Sequence, residues 1–86
     1  MAEEKRIGVV THYFGKITVA IIKIEEEVLK IGDTIHFKGH TSDFTQKVES
    51  MELEHKTVQE AKVGDSIGIK ISEHAREGDV VHKVIE

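Results

Sequence analysis

Six histidines and sixteen carboxylates are the side chains of this sequence with the most chemistry in them. His36 and His40 stand four apart, Asp43 follows, and His12 lies earlier in the chain. Two imidazoles and a carboxylate could hold a metal ion. The spacing argues otherwise. His36 falls in an alternating strand pattern and His40 in the loop after it, so they do not share a face. Solvated surface histidines are the expectation, with no metal and no other cofactor. Ser42, Ser50, Ser66 and Ser72 lack a nucleophile-elbow context, so a hydrolytic triad is not expected. Gly15-Lys16 stands outside any Gly-x4-Gly-Lys-Ser/Thr loop and leads into a strand, so no nucleotide is expected. The chain reads as non-enzymatic.

The aromatic and basic residues offer a different chemistry. Tyr13, Phe14, Lys16, Phe37, Lys38, His40 and Phe44 fall at strand ends and in the loops between them. A rim of this kind could stack an unpaired base and contact phosphate. The chain has four aromatics in all, so at least two must be core, and Phe37 and Phe44 are the ones to place there. The candidate binding residues are then His12, Tyr13, Phe14, Lys16, Lys38 and His40. The run Glu25-Glu26-Glu27 would repel a phosphate backbone and belongs off such a face.

The elements that must carry these residues are strands. Ile and Val dominate the apolar residues, and such stiff side chains suit a pleated surface. Ile35 and Phe37 alternate around His36. Ile67, Ile69 and Ile71 alternate with Gly68, Lys70 and Ser72, and Val80, His82 and Val84 with Val81, Lys83 and Ile85. Arg6–Tyr13 and Ile17–Ile24 read as two further strands around Phe14-Gly15-Lys16. Five or six strands in 86 residues point to a small barrel or sandwich. Val48 to Lys62 is ambiguous. Val48, Met51, His55 and Val58 have helical spacing, whereas Met51 and Leu53 alternate, as in a strand with a bulge near Glu49-Ser50.

Three turns repeat one signature. Gly32-Asp33, Gly64-Asp65 and Gly78-Asp79 each precede an alternating run. Glycine reaches positive φ freely and Asp bonds nearby amides, so each pair reads as a turn that launches a strand. These carboxylates are poor candidates for catalysis.

Length and composition bound the rest. The 86 residues allow one domain, taken as residues 6–86 behind a flexible arm of residues 1–5. Without cysteine there is neither a disulfide framework nor a thiolate cluster. The longest apolar stretch, Ile17–Ile22, is too short to span a bilayer, and no signal region stands at the N-terminus. A cytoplasmic location is the expectation. The net charge of −4 argues against a nonspecific nucleic-acid coat.

The fragments also carry a resemblance. Val28-Leu29-Lys30-Ile31-Gly32-Asp33-Thr34-Ile35 resembles a turn in the second domain of translational GTPases such as elongation factor Tu. Val48-Glu49-Ser50-Met51, Ala61-Lys62-Val63-Gly64-Asp65-Ser66-Ile67-Gly68 and Arg76-Glu77-Gly78-Asp79-Val80 resemble later segments of that domain in the same order. The resemblance implies a six-stranded Greek-key β-barrel and favours strand for Val48–Leu53. Gly8-Val9-Val10-Thr11-His12-Tyr13-Phe14 and Gly39-His40-Thr41-Ser42-Asp43-Phe44 are more similar to stand-alone elongation-factor-like proteins and to the small C-terminal barrel of U32-type peptidases. The GTPase and U32 catalytic domains of those families are absent from these residues. The resemblance implies a binding module: one that contacts tRNA, rRNA or the ribosome, or alternatively a protein-interaction module docking on a U32-peptidase-like or GTPase subunit.

Overall fold

The computed structural model describes residues 3–40 and 42–85, and every regular element among them is a β-strand. In chain order these are β1 (Glu3–Phe14), β2 (Val19–Ile24), β3 (Leu29–Lys30), β4 (Thr34–Lys38), β5 (Asp43–Lys47), β6 (Met51–Leu53), β7 (Lys56–Val58), β8 (Glu60–Ala61), β9 (Ser66–Lys70) and β10 (Val80–Ile85). The all-β class follows the Ile/Val alternation. The strand count is ten rather than six. Four of the ten hold only two or three residues, too short to leave a period-two pattern. Of the arm expected over residues 1–5, Glu3, Glu4 and Lys5 belong to β1, opposite Ile85, Val84 and Lys83. Met1 and Ala2 lie outside the described residues, as does Thr41.

Eight strands form one antiparallel sheet in the order β5-β4-β10-β1-β2-β9-β6-β7, and β3 pairs with β8. β1 is twelve residues long and carries two irregularities, at Arg6/Gly8 and at Val10/His12. Bulges bend a strand and increase its twist. They let β1 curve across the sheet while Ile7 and Val10 both stay buried. Gly8 is required at the first: a Cβ there would run into the Lys23 carbonyl oxygen of β2. The sheet coils around one core. Ile22 and Ile24 enter it from β2, Ile35 and Phe37 from β4, Met51 from β6, Ile67 and Ile69 from β9 and Val81 from β10. Phe37 and Phe44 stack in it with centroids 4.7 Å apart, as expected for core aromatics.

The ambiguous segment is extended. Between β5 and β6, residues 48–50 belong to no regular element. β5, before the ambiguous segment, pairs with β4, and β6, within it, pairs with β7 and meets β9 at Glu52 and Gly68. The irregularity expected near Glu49-Ser50 is therefore present, with Val48 and Met51 both buried across it. β6 and β7 close a two-residue hairpin in which Glu54 (φ 51°) and His55 (φ 67°) are both left-handed, the form of a type I′ turn.

The three Gly-Asp turns are one device built three times. Gly32, Gly64 and Gly78 have φ of 96°, 100° and 92°. In each turn the Asp N–H donates to the carbonyl three residues back, at 3.0–3.1 Å. Its Oδ2 accepts from the N–H of that same residue (Lys30, Lys62 or Arg76) at 2.9 Å. Asp33 and Asp65 are half-buried and Asp79 is buried.

Candidate functional site

The structure divides the six rim candidates. His12, Tyr13 and Phe14 end β1, and Lys16 is exposed in the turn at residues 15–18. His12 and Phe14 share one face, with ring centroids 4.4 Å apart. The His12 Nδ1 lies 3.8 Å from a Glu77 carboxylate oxygen. Tyr13 points to the opposite face, against the edge of His74 at 4.6 Å, and packs on the core. Alternation along a strand makes this split unavoidable. Lys38 ends β4 and reaches back to Glu4 at 3.0 Å, while His40 is exposed in the loop beyond. No hydrogen bond, ion pair or ring contact among the described residues joins Lys38 or His40 to His12, Tyr13 or Phe14. The acidic run is partly neutralised instead: Arg6 binds Glu25 (2.8 Å) and Glu26, and Lys5 binds Glu27 (2.9 Å).

His36, weighed as a ligand with His40, sits between carboxylates. Its Nδ1 lies 2.7 Å from Glu4 and its Nε2 contacts Asp43. The hydrogen bond to Asp43 raises its pKa above the ordinary value; burial opposes this and Glu4 adds to it. The Glu4 carboxyl is correspondingly held down, first by His36 and then by Lys38. His82 lies opposite both His36 and Arg6 in the ladders. Its Nδ1 is buried without a hydrogen-bond partner among the described residues. Desolvation lowers its pKa, with Lys38 adding to the effect. Alternation places His36 on the outer face, but Glu4 is distant in sequence and no local pattern points to it. No group of three or more His, Asp or Glu side chains among the described residues is arranged to hold a metal ion.

A second feature was not read from the sequence. Phe14 and Ile17 are 44% and 60% exposed, large values for apolar side chains. With Val19, Ile21, Gly68 and the Glu54-His55 turn they line an open cavity of about 280 Å³. Gly68 keeps its floor low, since its missing side chain leaves room beside Ile21 and Val19. The only signal in the sequence is Ile17, an apolar residue in a hairpin turn.

No protein-family model matches the chain. An uncharacterized protease of Methanocaldococcus jannaschii is 41% identical over 81 residues, which cover 93% of this chain and 20% of the protease. A collagenase of Porphyromonas gingivalis is 36% identical over 78 residues, covering 90% of this chain and 22% of the collagenase. The chain thus spans about a fifth of the length of the curated relatives it matches. Among solved structures, the C-terminal domain of a Geobacillus thermoleovorans protein described as a U32 peptidase superposes with a TM-score of 0.86. The identity is 20%, and the match covers 92% of this chain and 99% of that domain. A second structure of the same domain gives a TM-score of 0.83 at 20% identity, covering 90% and 89%. These relatives are proteases, and the superposed structures are a domain of one. The chain has the fold of that C-terminal domain and is 36–41% identical to about a fifth of the length of two proteases.

Proposed function

We propose that the chain is a non-catalytic accessory domain that packs on a U32-type peptidase unit. The carrying observation is the pairing of a C-terminal-domain fold with sequence matches to one fifth of larger proteases. The cavity of Phe14, Ile17, Val19 and Ile21 supplies the docking face. Exposed apolar side chains gathered in one place favour burial against a partner. The His12–Phe14 pair extends this face along the end of β1. Contact with RNA or the ribosome draws no support: the net charge is −4, Lys38 is paired with Glu4, and His12 lies beside Glu77.

The test uses the M. jannaschii protease. Its matching 81 residues are deleted, and this chain is supplied either fused in their place or as a separate protein. The expected result is that the chimera recovers the proteolysis and solubility lost on deletion. Phe14→Ser with Ile17→Ser should abolish the recovery. A chimera that behaves like the deletion, with no association of the separate chain, overturns the proposal.

A further inference from the structure

The seam between β5 and β9 is closed by a side chain rather than by a ladder. Among the described residues β5 pairs with β4 alone, and β9 meets β6 only at Gly68. Beyond Gly68 no further pair joins β9 to β6 among the described residues. A cavity of about 350 Å³ opens between Gln46, Lys47, Glu49 and Ser50 on one side and Lys70 to Ser72 on the other. Gln46 reaches across it. Its Nε2 donates to the Lys70 carbonyl at 3.0 Å and its Oε1 accepts from the Ser72 N–H at 2.7 Å. The Ser72 hydroxyl donates to the same Oε1 at 3.2 Å. One primary amide thus satisfies a carbonyl and an N–H two residues apart, the pair that a neighbouring strand would otherwise take.

The facing edge is open as well. The Val48 N–H donates to Asp33, and the Ser42 carbonyl accepts from Gly39. By alternation the even-numbered residues of β5 turn their backbone groups to β4, and Thr45 and Lys47 turn theirs into the seam. Lys47 and Lys70 flank the opening. None of the ion pairs among the described residues involves either, and Glu49 is the one acid on the wall.

We infer that this seam is a binding site for an extended, acidic polypeptide segment, which adds as a strand to the Lys70–Ser72 edge and displaces the Gln46 amide. The backbone pairs with the edge that Gln46 now covers, and a carboxylate of the segment lies between Lys47 and Lys70. Gln46 acts as a built-in competitor. The inference is independent of the peptidase docking face, which lies against Phe14 and Ile17.

The test is an amide-detected NMR titration of the full chain with acetyl-Thr-Val-Glu-Val-Thr-amide and with its lysine-for-glutamate counterpart. The acidic peptide should move the Ser72 backbone amide and the Gln46 side-chain NH2 signals together, with one dissociation constant. Removing the competitor in Gln46→Ala should tighten binding about fivefold, the equivalent of one net hydrogen bond. Lys47→Glu with Lys70→Glu should reverse the preference between peptides. Should Gln46→Ala fail to fold, the wild-type Gln46 NH2 signal still reports displacement. Unmoved Ser72 and Gln46 signals at millimolar peptide overturn the inference. So do equal responses to both peptides, and so do the same shifts on raising protein concentration without peptide, which would place a second copy in the seam.

Discussion

His36 lies between Glu4 of β1 and Asp43 of β5, with Lys38 on its own strand and His82 and Arg6 across the sheet. Its folded pKa lies above the ordinary 6.5, so the folded state holds the proton more tightly. That stabilisation is complete below about 6.5 and is lost as pH rises through the folded value. Glu4 has the opposite sign. Its folded pKa is depressed below 4.5, so its contribution is present above 4.5 and disappears as pH falls through the folded value. His82, also depressed, weakens the fold as pH falls from 6.5 towards its folded value. Urea midpoints measured from pH 4 to 9 should therefore decline on the alkaline side in the wild type. His36→Gln should lack that decline, keep the His82 weakening below 6.5 and lose much of the Glu4 contribution, since His36 is the first cause of the Glu4 depression. An unchanged alkaline slope in the variant would assign it to another group. The turn carboxylates make a second comparison at this scale. Asp33→Ala, Asp65→Ala and Asp79→Ala each remove the side-chain acceptor of one backbone N–H, at a cost of about 1 kcal/mol. Asp79 is buried at 5% exposure and its Oδ1 lies where a Gly39 Cβ would stand. Asp79→Ala should be the most damaging of the three, by about another 1 kcal/mol for the cavity it leaves. Denaturant midpoints order the variants.

Among the elements, β1 depends most on a single small residue. Gly8→Ala places a methyl group on the Lys23 carbonyl oxygen, so β1 and β2 must separate at the bulge. The expected loss is about 1–3 kcal/mol, the range for overpacking. In contrast, a Cβ on Gly64 meets nothing within 4 Å, so Gly64→Ala is opposed only by its φ of 100°. Its cost should be about 1–2 kcal/mol, the penalty of a left-handed non-glycine residue. The β6–β7 hairpin offers a gain. Glu54 and His55 both hold positive φ, which Asn-Gly adopts with less strain. Replacing Glu54-His55 by Asn-Gly should raise stability by about 0.5–1 kcal/mol, read as a higher melting temperature. A loss would show that the two side chains make contacts that outweigh the strain.

At the scale of the whole molecule, the core and the proposed docking face separate cleanly. Phe14 and Ile17 lie outside the buried cluster. Phe14→Ser with Ile17→Ser should change stability by no more than about 0.5 kcal/mol, the usual range for exposed positions. The same pair should remove association with a peptidase unit. If the pair unfolds the chain instead, these residues belong to the core, and the docking face lies elsewhere. None of the described residues forms a helix long and apolar enough to cross a membrane.

Local pattern alone determined a good deal of this protein. The alternations around Ile35, Ile67 and Val80 are the strands β4, β9 and β10, because inward and outward side chains repeat every two residues. Each Gly-Asp pair is a turn, because positive φ and a short acceptor are properties of those two residues and need no distant partner. The break at Glu49-Ser50 showed as a change of phase. What local pattern could not hold was pairing over distance. β5 was missed because Asp43, Thr45 and Lys47 are polar and Gln46 interrupts the apolar face of Phe44 and Val48. Its strand character comes from the ladder it forms with β4. Glu4 meets His36 only because β10 brings β1 and β4 to either side of it. The rim candidates gather by sequence position, yet alternation sends Tyr13 to one face and His12 and Phe14 to the other, while an ion pair draws Lys38 away to Glu4. Which segments extend and where they turn is written in neighbouring residues, since those are choices of φ, ψ and side-chain face. Which edges meet, which charges pair and which apolar residues stay exposed is settled by folding, since each depends on strands far apart in the chain.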